Sequence, residues 1–70
     1  MLSDLANWVK EQRKKKGMSL QDVADAAETS KSQVWMLESG RNKNPSIEYA
    51  SRVTNALGKK LSSALKDIEL

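Results

Sequence analysis

The sequence predicts an all-α fold of five short helices, and three observations support that prediction. Apolar residues recur at helical spacing in five separate segments of the 70-residue chain. Before four of these segments stands a Ser residue, which is a favoured N-cap: Ser3, Ser19, Ser30 and Ser46. Each of the three Gly residues follows the end of a segment, where a left-handed C-cap needs φ > 0. No segment reads convincingly as a β-strand.

The first predicted helix begins after Ser3 and ends in a basic run at 13–16, which is followed by Gly17. Asp4 lies in the first turn, where a negative charge favours the helix dipole. The inner stripe of this helix consists of Leu5, Trp8, Val9 and Gln12. Cations in a last turn followed by Gly are typical of a helix end, so the basic run is either a solvated helix terminus or a phosphate contact.

Two further helices are predicted at 20–27 and 31–39, with a short turn between them. Their starts carry capping-box patterns, in which a Ser and the third residue after it bond each other's backbone N–H: Ser19 with Asp22, and Ser30 with Gln33. The apolar residues of the first helix lie on one face at Leu20, Val23, Ala24 and Ala27. Two short helices joined by such a turn form a helix-turn-helix, whose second helix can lie in a DNA major groove.

The second helix of this motif has an inner and an outer face. Val34 and Leu37 share the inner face. At about 100° per residue, the opposite face holds Ser32, Trp35, Met36 and Ser39. Something must cover the two large apolar side chains of this outer face, Trp35 and Met36. A thymine methyl group in DNA and a protein partner are both suitable covers.

A fourth helix is predicted at 47–57. Asn44 precedes Pro45 and is biased to extended geometry, so no helix can run through this point. Ser46 is the predicted N-cap of the fourth helix. Its predicted inner face consists of Ile47, Ala50, Val53, Ala56 and Leu57.

The last predicted helix, at 62–68, supplies a candidate dimer surface. Its apolar stripe consists of Leu61, Leu65 and Ile68, and Leu70 adds a further apolar group. Too little chain follows to cover this stripe, so a two-fold contact with a second copy would bury it. Such a homodimer would place two helix-turn-helix motifs about one DNA turn apart, ~34 Å. The alternative is that Leu61 and Leu65 pack inward and only the terminus is exposed.

The composition excludes several classes of function. A net charge of +3 is compatible with nucleic acid, although an ordinary excess of Lys accounts for it equally well. Without Cys or His, the chain has no disulfide, no Cys/His metal site and no nucleophile paired with a His base. We therefore expect no enzyme activity, no metal and no cofactor. No apolar run approaches the ~20 residues that span a bilayer, and the lack of Cys fits a cytoplasmic protein.

These motifs together resemble the Cro/CI-type (Xre-like) helix-turn-helix repressors, without a gap, over residues 5–65. The residues that carry the resemblance are Arg13, Gly17-Met18-Ser19, Val23-Ala24, Ser30, Val34, Leu37-Glu38-Ser39-Gly40, Asn44-Pro45-Ser46-Ile47 and Ala56-Leu57-Gly58. The sequence departs from the family pattern at Gln12, which is usually apolar, and at Leu20, which is often Gln. It also departs at Glu28, where a turn Gly is usual.

The resemblance implies one five-helix lambda-repressor-like DNA-binding domain over 1–70, with the helix-turn-helix at 20–39. It implies base contacts by Lys31, Ser32, Gln33, Trp35 and Met36. It implies phosphate contacts by Gln21, Arg41, Asn42, Lys43 and Asn44. It also implies that Arg13 and Glu38 form a structural ion pair. The Gln33 side chain is needed either for a DNA contact or for its capping box.

The resemblance predicts a sequence-specific DNA-binding transcriptional regulator. We expect a repressor that occupies a pseudo-palindromic operator as a homodimer, with double-stranded DNA as its partner. The alternative from another class is a protein-interaction module, or an antitoxin-like adaptor, that presents Trp35 and Met36 to a protein.

Overall fold

The computed structural model describes residues 2–42 and 44–69, with side chains described for 4–42 and 44–68. Within those residues it contains five helices and no strand, which confirms the predicted all-α fold. The helices are α1 (Leu2–Lys15), α2 (Leu20–Ala27), α3 (Lys31–Glu38), α4 (Ile47–Ala56) and α5 (Leu61–Glu69). Each predicted helix is present, with small shifts at its ends.

The start of α1 differs from the prediction. This helix begins at Leu2, so Ser3 lies inside its first turn and not at the N-cap. A helix that starts at the protein surface can leave its first N–H groups to water, so it does not require a capping side chain. Asp4 lies in the first turn and the basic residues 13–15 in the last, as the charge pattern predicts.

The N-caps of α2, α3 and α4 are Ser19, Ser30 and Ser46, as predicted. In α2 the capping box is complete: the Asp22 N–H donates to Ser19 Oγ at 3.0 Å, and the Ser19 N–H donates to Asp22 Oδ2 at 2.8 Å. In α3 the Gln33 N–H donates to Ser30 Oγ at 3.2 Å, but the Gln33 side chain makes no return bond. The predicted capping box at Ser30 is therefore confirmed for the bond to the Ser30 side chain and wrong for the return bond from the Gln33 side chain. A neutral amide gains less than a carboxylate from an exposed N–H, for which water competes.

The core lies where the five helices meet. α2 packs against α3 and α4, α1 packs against α3 and α5, and α4 packs against α5. The buried apolar cluster consists of Leu5, Trp8, Val9, Val23, Ala24, Ala27, Val34, Leu37, Ala50, Val53, Leu57 and Ala64. The fully buried hydroxyl of Thr54 donates to the Ser51 carbonyl at 3.0 Å, so it is satisfied within its own helix.

The prediction that Ile47 lies on the inner face of α4 is wrong, because its side chain is 78% exposed. The buried residues of this helix and its C-cap are Ala50, Val53, Thr54 and Leu57. At 100° per residue their mean direction lies about 70° away from that of Ile47. Ile47 is also the first residue of α4, where the chain arrives from a polar loop.

The apolar stripe of α5 is largely used inside the domain. Leu61 and Ile68 pack against the core, and Ala64 between them is fully buried. The prediction that this stripe is left uncovered is therefore wrong for Leu61 and Ile68, because α1 and α4 together provide a surface that α5 covers. Leu65 remains 38% exposed. Leu70, the fourth residue of the predicted dimer surface, lies outside the described residues.

Side-chain hydrogen bonds from Trp8 and Arg52 join elements that are distant in sequence. Trp8 Nε1–H donates to Asp67 Oδ2 at 3.1 Å and connects α1 to α5. Arg52 Nε–H donates to the Ala27 carbonyl at 2.9 Å, and another N–H of the same guanidinium donates to the Glu28 carbonyl. Carbonyls at a helix C-terminus lack an intrahelical partner, so Arg52 satisfies two such groups at the turn after α2.

Glu28 holds the left-handed backbone conformation at the C-cap of α2, with φ 57° and ψ 48°. In this region the Cβ of an L-residue crowds the following carbonyl, at a cost of roughly 1–2 kcal/mol. The Glu28 N–H donates to the Asp25 carbonyl at 3.3 Å, and the Thr29 N–H donates to the Ala24 carbonyl at 2.9 Å. These bonds, together with Arg52, hold the turn in a geometry that a Gly would adopt without strain.

Glu28→Gly is expected to raise the free energy of unfolding by about 1 kcal/mol, because Gly reaches φ > 0 without the Cβ clash. Urea denaturation measures this change. Glu28→Ala is the matched control: it removes the same charge but keeps the Cβ, so it should give no gain. An equal gain in both variants would mean that the charge of Glu28, and not its backbone, limits stability.

Candidate nucleic-acid interface

The outer face of α3 begins with three exposed polar side chains above two buried anchors. Val34 and Leu37 are 0% and 2% exposed, and they hold α3 against the rest of the domain. Lys31, Ser32 and Gln33 are exposed in the first turn. Within the described residues, their side chains make no hydrogen bond or ion pair apart from the capping contact of the Gln33 backbone. An ammonium, a hydroxyl and an amide are thus presented together, and each can bond a base edge.

Trp35 and Met36 are not equally exposed. Trp35 is 46% exposed, and the Arg41 Cζ lies 5.1 Å from the centroid of its ring. This separation is within cation–π range. Met36 is half-buried, and its carbonyl accepts the N–H groups of Arg41 and Asn42 at 2.9 and 3.1 Å. The outer face of α3 therefore presents mainly Trp35, with a cation over the ring, while Met36 is partly enclosed.

The residues predicted to contact phosphates lie in two places. In the loop after α3, Arg41 and Asn44 are exposed and Asn42 is half-buried. Asn42 Oδ1 accepts the Asn44 N–H at 3.4 Å, which tightens this loop. Lys43 lies outside the described residues. Gln21 is exposed on α2, and its Nε2 donates at 2.9 Å to a carboxylate one turn later in the same helix.

Arg13 and Glu38 join the last turn of α1 to the last residue of α3. Arg13 Nε–H donates to Glu38 Oε2 at 2.7 Å, and a second guanidinium N–H donates to Oε1 at 3.1 Å. A third donates to the Met18 carbonyl at 2.9 Å. Both side chains are largely buried, at 14% and 6% exposure. Arg13 thereby fixes α1, the segment before α2 and the end of α3 relative to one another.

A groove of about 220 Å³ opens beside this ion pair. It is lined by residues from three helices and their caps: Lys10, Arg13, Leu20, Trp35, Glu38 and Ser39. Lys10 is exposed and has no hydrogen bond or ion pair with the described residues. Sequence reasoning missed Lys10 at this groove and Arg52 at the turn after α2. Spacing rules relate residues within one helix, so they give no signal for side chains that meet only after folding.

In the described part of the chain, no group of three or more acidic side chains could hold a metal ion. In the same residues, no helix combines the length and the apolar character that crossing a membrane requires.

Comparison with known proteins adds a family match. A family model described as helix-turn-helix matches residues 9–63, which is more than half of the chain. The matched segment includes α2, α3 and α4 in full, together with the Arg13–Glu38 pair and all residues that line the groove. A comparison with curated proteins finds no match.

Arg13→Ala is expected to lower the free energy of unfolding by about 3 kcal/mol, because it leaves the Glu38 carboxylate and the Met18 carbonyl without their donor. The double variant with Glu38→Ala should cost about 1–3 kcal/mol less than the sum of the two single changes. Chemical denaturation of the four proteins gives this coupling energy.

The exposed contact between Gln21 and Asp25 is the matched control for this cycle. The same cycle at that pair should give a coupling energy below about 0.5 kcal/mol, since both side chains are solvated. Equal coupling at the two pairs would contradict a structural role for Arg13.

Proposed function

Because this chain belongs to the Cro/CI-type (Xre-like) helix-turn-helix family of DNA-binding transcription regulators, we propose that it is a repressor that reads a specific operator through α3. The observation that carries the proposal is the first turn of α3, where Lys31, Ser32 and Gln33 are exposed. Their side chains have no partner among the described residues. A regulator of this kind acts where the DNA is, so we also propose a cytoplasmic location.

Base reading is assigned to the outer face of α3. Lys31 can donate to O6 and N7 of a guanine, and Ser32 can donate or accept. The unfinished capping box leaves the Gln33 amide available for an adenine edge or a phosphate. The half-buried Met36 and the exposed Trp35 offer apolar contact to a thymine methyl group.

Phosphate contacts are assigned to the two ends of the motif. Arg41, Asn42 and Asn44 lie in the loop that follows α3, and Gln21 lies near the start of α2. Lys43, which lies outside the described residues, is assigned with them from the sequence. Such contacts release counterions and set the register of the protein on the duplex, but they do not read sequence. Occupancy of the operator would then block RNA polymerase.

A protein-interaction role is the second candidate, and one observation favours it. Trp35 is 46% exposed on the outer face of α3, and an exposed indole of this kind is common in protein interfaces. The two functions are separated by selecting bound sequences from a random pool of duplex DNA, followed by gel shifts on selected and random DNA. A chain that enriches no sequence and binds no duplex at low salt would exclude the repressor proposal.

Lys31→Ala and Ser32→Ala should each weaken binding to the selected sequence by about 1–3 kcal/mol while sparing random DNA. Arg41→Gln should weaken binding to both DNAs alike and make the salt slope shallower by about 0.9, because it removes one phosphate contact. Titrations at several salt concentrations measure both quantities. Identical behaviour of Lys31→Ala and Arg41→Gln would contradict this division of roles.

We propose further that two copies bind a pseudo-palindromic operator together. Leu65 is the residue of the predicted dimer surface that remains exposed among the described residues, because Leu61 and Ile68 pack inward. A two-fold axis beside α5 would bring two Leu65 side chains together and remove both from water.

Leu65→Lys is therefore expected to weaken self-association in sedimentation and to weaken binding to paired half-sites, while binding to one half-site stays unchanged. Ser63→Lys, on an exposed position of the same helix, is the control for the added charge. Retained preference for paired half-sites in the Leu65→Lys protein would place the dimer contact elsewhere.

A further inference from the structure

The groove between α1, α2 and α3 contains one cation that is not neutralised. Of its six lining residues, Lys10, Arg13 and Glu38 are charged. Arg13 and Glu38 neutralise each other through their bidentate contact. Lys10 is exposed and has no hydrogen bond or ion pair with the described residues. The groove therefore carries a net charge of about +1, which matches the single negative charge of a phosphodiester group.

The uncharged part of the groove lining consists of Leu20, Trp35 and Ser39. Lys10 is exposed to solvent, so its charge acts as a surface charge that salt screens, as phosphate-contacting lysines do. Ser39 adds a hydroxyl, which donates to the Met36 carbonyl at 3.2 Å and can donate to an anion only after rotating away from that carbonyl.

The groove opens on the side of the domain that would face DNA. Trp35 and Ser39 are spaced by four residues on the outer face of α3, and both line the groove. Arg41, at the start of the loop after α3, lies over the Trp35 ring. Trp35 thus contacts Arg41 and also lines the groove that Lys10 lines. With the first turn of α3 in a DNA major groove, the side of the domain that holds Trp35 and Ser39 would lie near the DNA backbone.

We propose that this groove seats one phosphate of the DNA backbone, with Lys10 as its charged donor, and that Lys10 is thereby a DNA-binding residue. The inference rests on the proposed function, because it concerns the same duplex. Leu20, the first residue of α2, lines the groove but has no polar group that could bind a phosphate. Lys10 on α1 lines the same groove and supplies a positive charge there. The ligand is recognised by its phosphodiester charge, so the contact is independent of base sequence.

The first test compares two lysines on the same helix. Lys10→Gln should make the salt slope of binding to random duplex DNA shallower by about 0.9, and at 0.1 M salt this corresponds to an affinity loss of about eightfold. Lys14 lies one turn further along α1, among the exposed lysines of the basic run that do not line the groove. We take these lysines as a solvated helix terminus, so Lys14→Gln removes the same charge outside the groove. Its slope should stay within about 0.3 of the wild-type value. Lys10→Arg should retain most of the affinity.

The second test neutralises phosphates one at a time. Duplexes with a single methylphosphonate at successive positions of the selected sequence are titrated with wild type and Lys10→Gln. At one position, the methylphosphonate should lower the affinity of the wild-type protein about eightfold but should not lower the affinity of Lys10→Gln further. Lys14→Gln should lose the same affinity as the wild type at that position. Inorganic phosphate at millimolar concentration should not compete, because it lacks the remaining contacts of the duplex.

The outcomes separate this inference from the proposed function. If Lys10→Gln and Lys14→Gln have equal slopes, or no methylphosphonate position loses its effect in Lys10→Gln, the groove does not hold a phosphate, although the domain still binds DNA. Competition by inorganic phosphate alone would identify a free-anion site in place of a DNA contact. Circular dichroism of each variant controls for folding. Absence of DNA binding by the wild-type protein would overturn the proposed function itself.

Discussion

The guanidinium of Arg13 is the contact on which the geometry of the candidate interface depends. It binds Glu38 at the end of α3 in a bidentate manner and the Met18 carbonyl just before α2, while its own backbone belongs to α1. Three segments of the chain thus meet at one planar group with fixed donor directions. A lysine has a single ammonium and could not hold the same three acceptors in a plane. The orientation of α3 relative to the rest of the domain follows from this geometry as much as from apolar packing.

Such a restraint matters because α3 is short. A helix of eight residues is unstable alone in water, since nucleation is costly and few backbone bonds follow it. Two anchors, Val34 and Leu37, bury its inner face, and Ser30 caps its start. On the other side of the motif, Arg52 satisfies the carbonyl groups of the turn in which Glu28 adopts φ > 0. Polar groups at both ends of the motif therefore keep a small recognition surface rigid, and rigidity lowers the entropic cost of binding.

Local patterns in the sequence predicted the five helices and most of the core. Apolar spacing identified most of the buried residues of α1, α2 and α3, although it missed Ala6, and the Ser caps marked where α2, α3 and α4 begin. Errors arose where the outcome depends on neighbouring helices. The stripe of α5 was predicted to be uncovered because the sequence of α5 alone does not show that α1 and α4 pack against it. Ala64, at the middle of the stripe, is buried, but the prediction did not count this small residue in the stripe. The stacking of Arg41 on Trp35 and the groove at Lys10 also join different elements, so spacing within one helix could not reveal them.

Trp35 is the more exposed of the two apolar residues on the outer face of α3, and the charges around it give a physical reason for its exposure. The electron-rich face of an indole attracts a cation, and Arg41 lies within range of it. Stacking on a flat ring restricts the rotamers of a long side chain, so less conformational entropy is lost when the guanidinium later binds an anion. The same indole forms a wall of the groove that Lys10 lines. A protein partner could also cover a Trp that has an Arg beside it, but cations at the border of the patch add attraction for an anion. The position of Trp35 beside Arg41 and Lys10 therefore favours an anionic partner for this face.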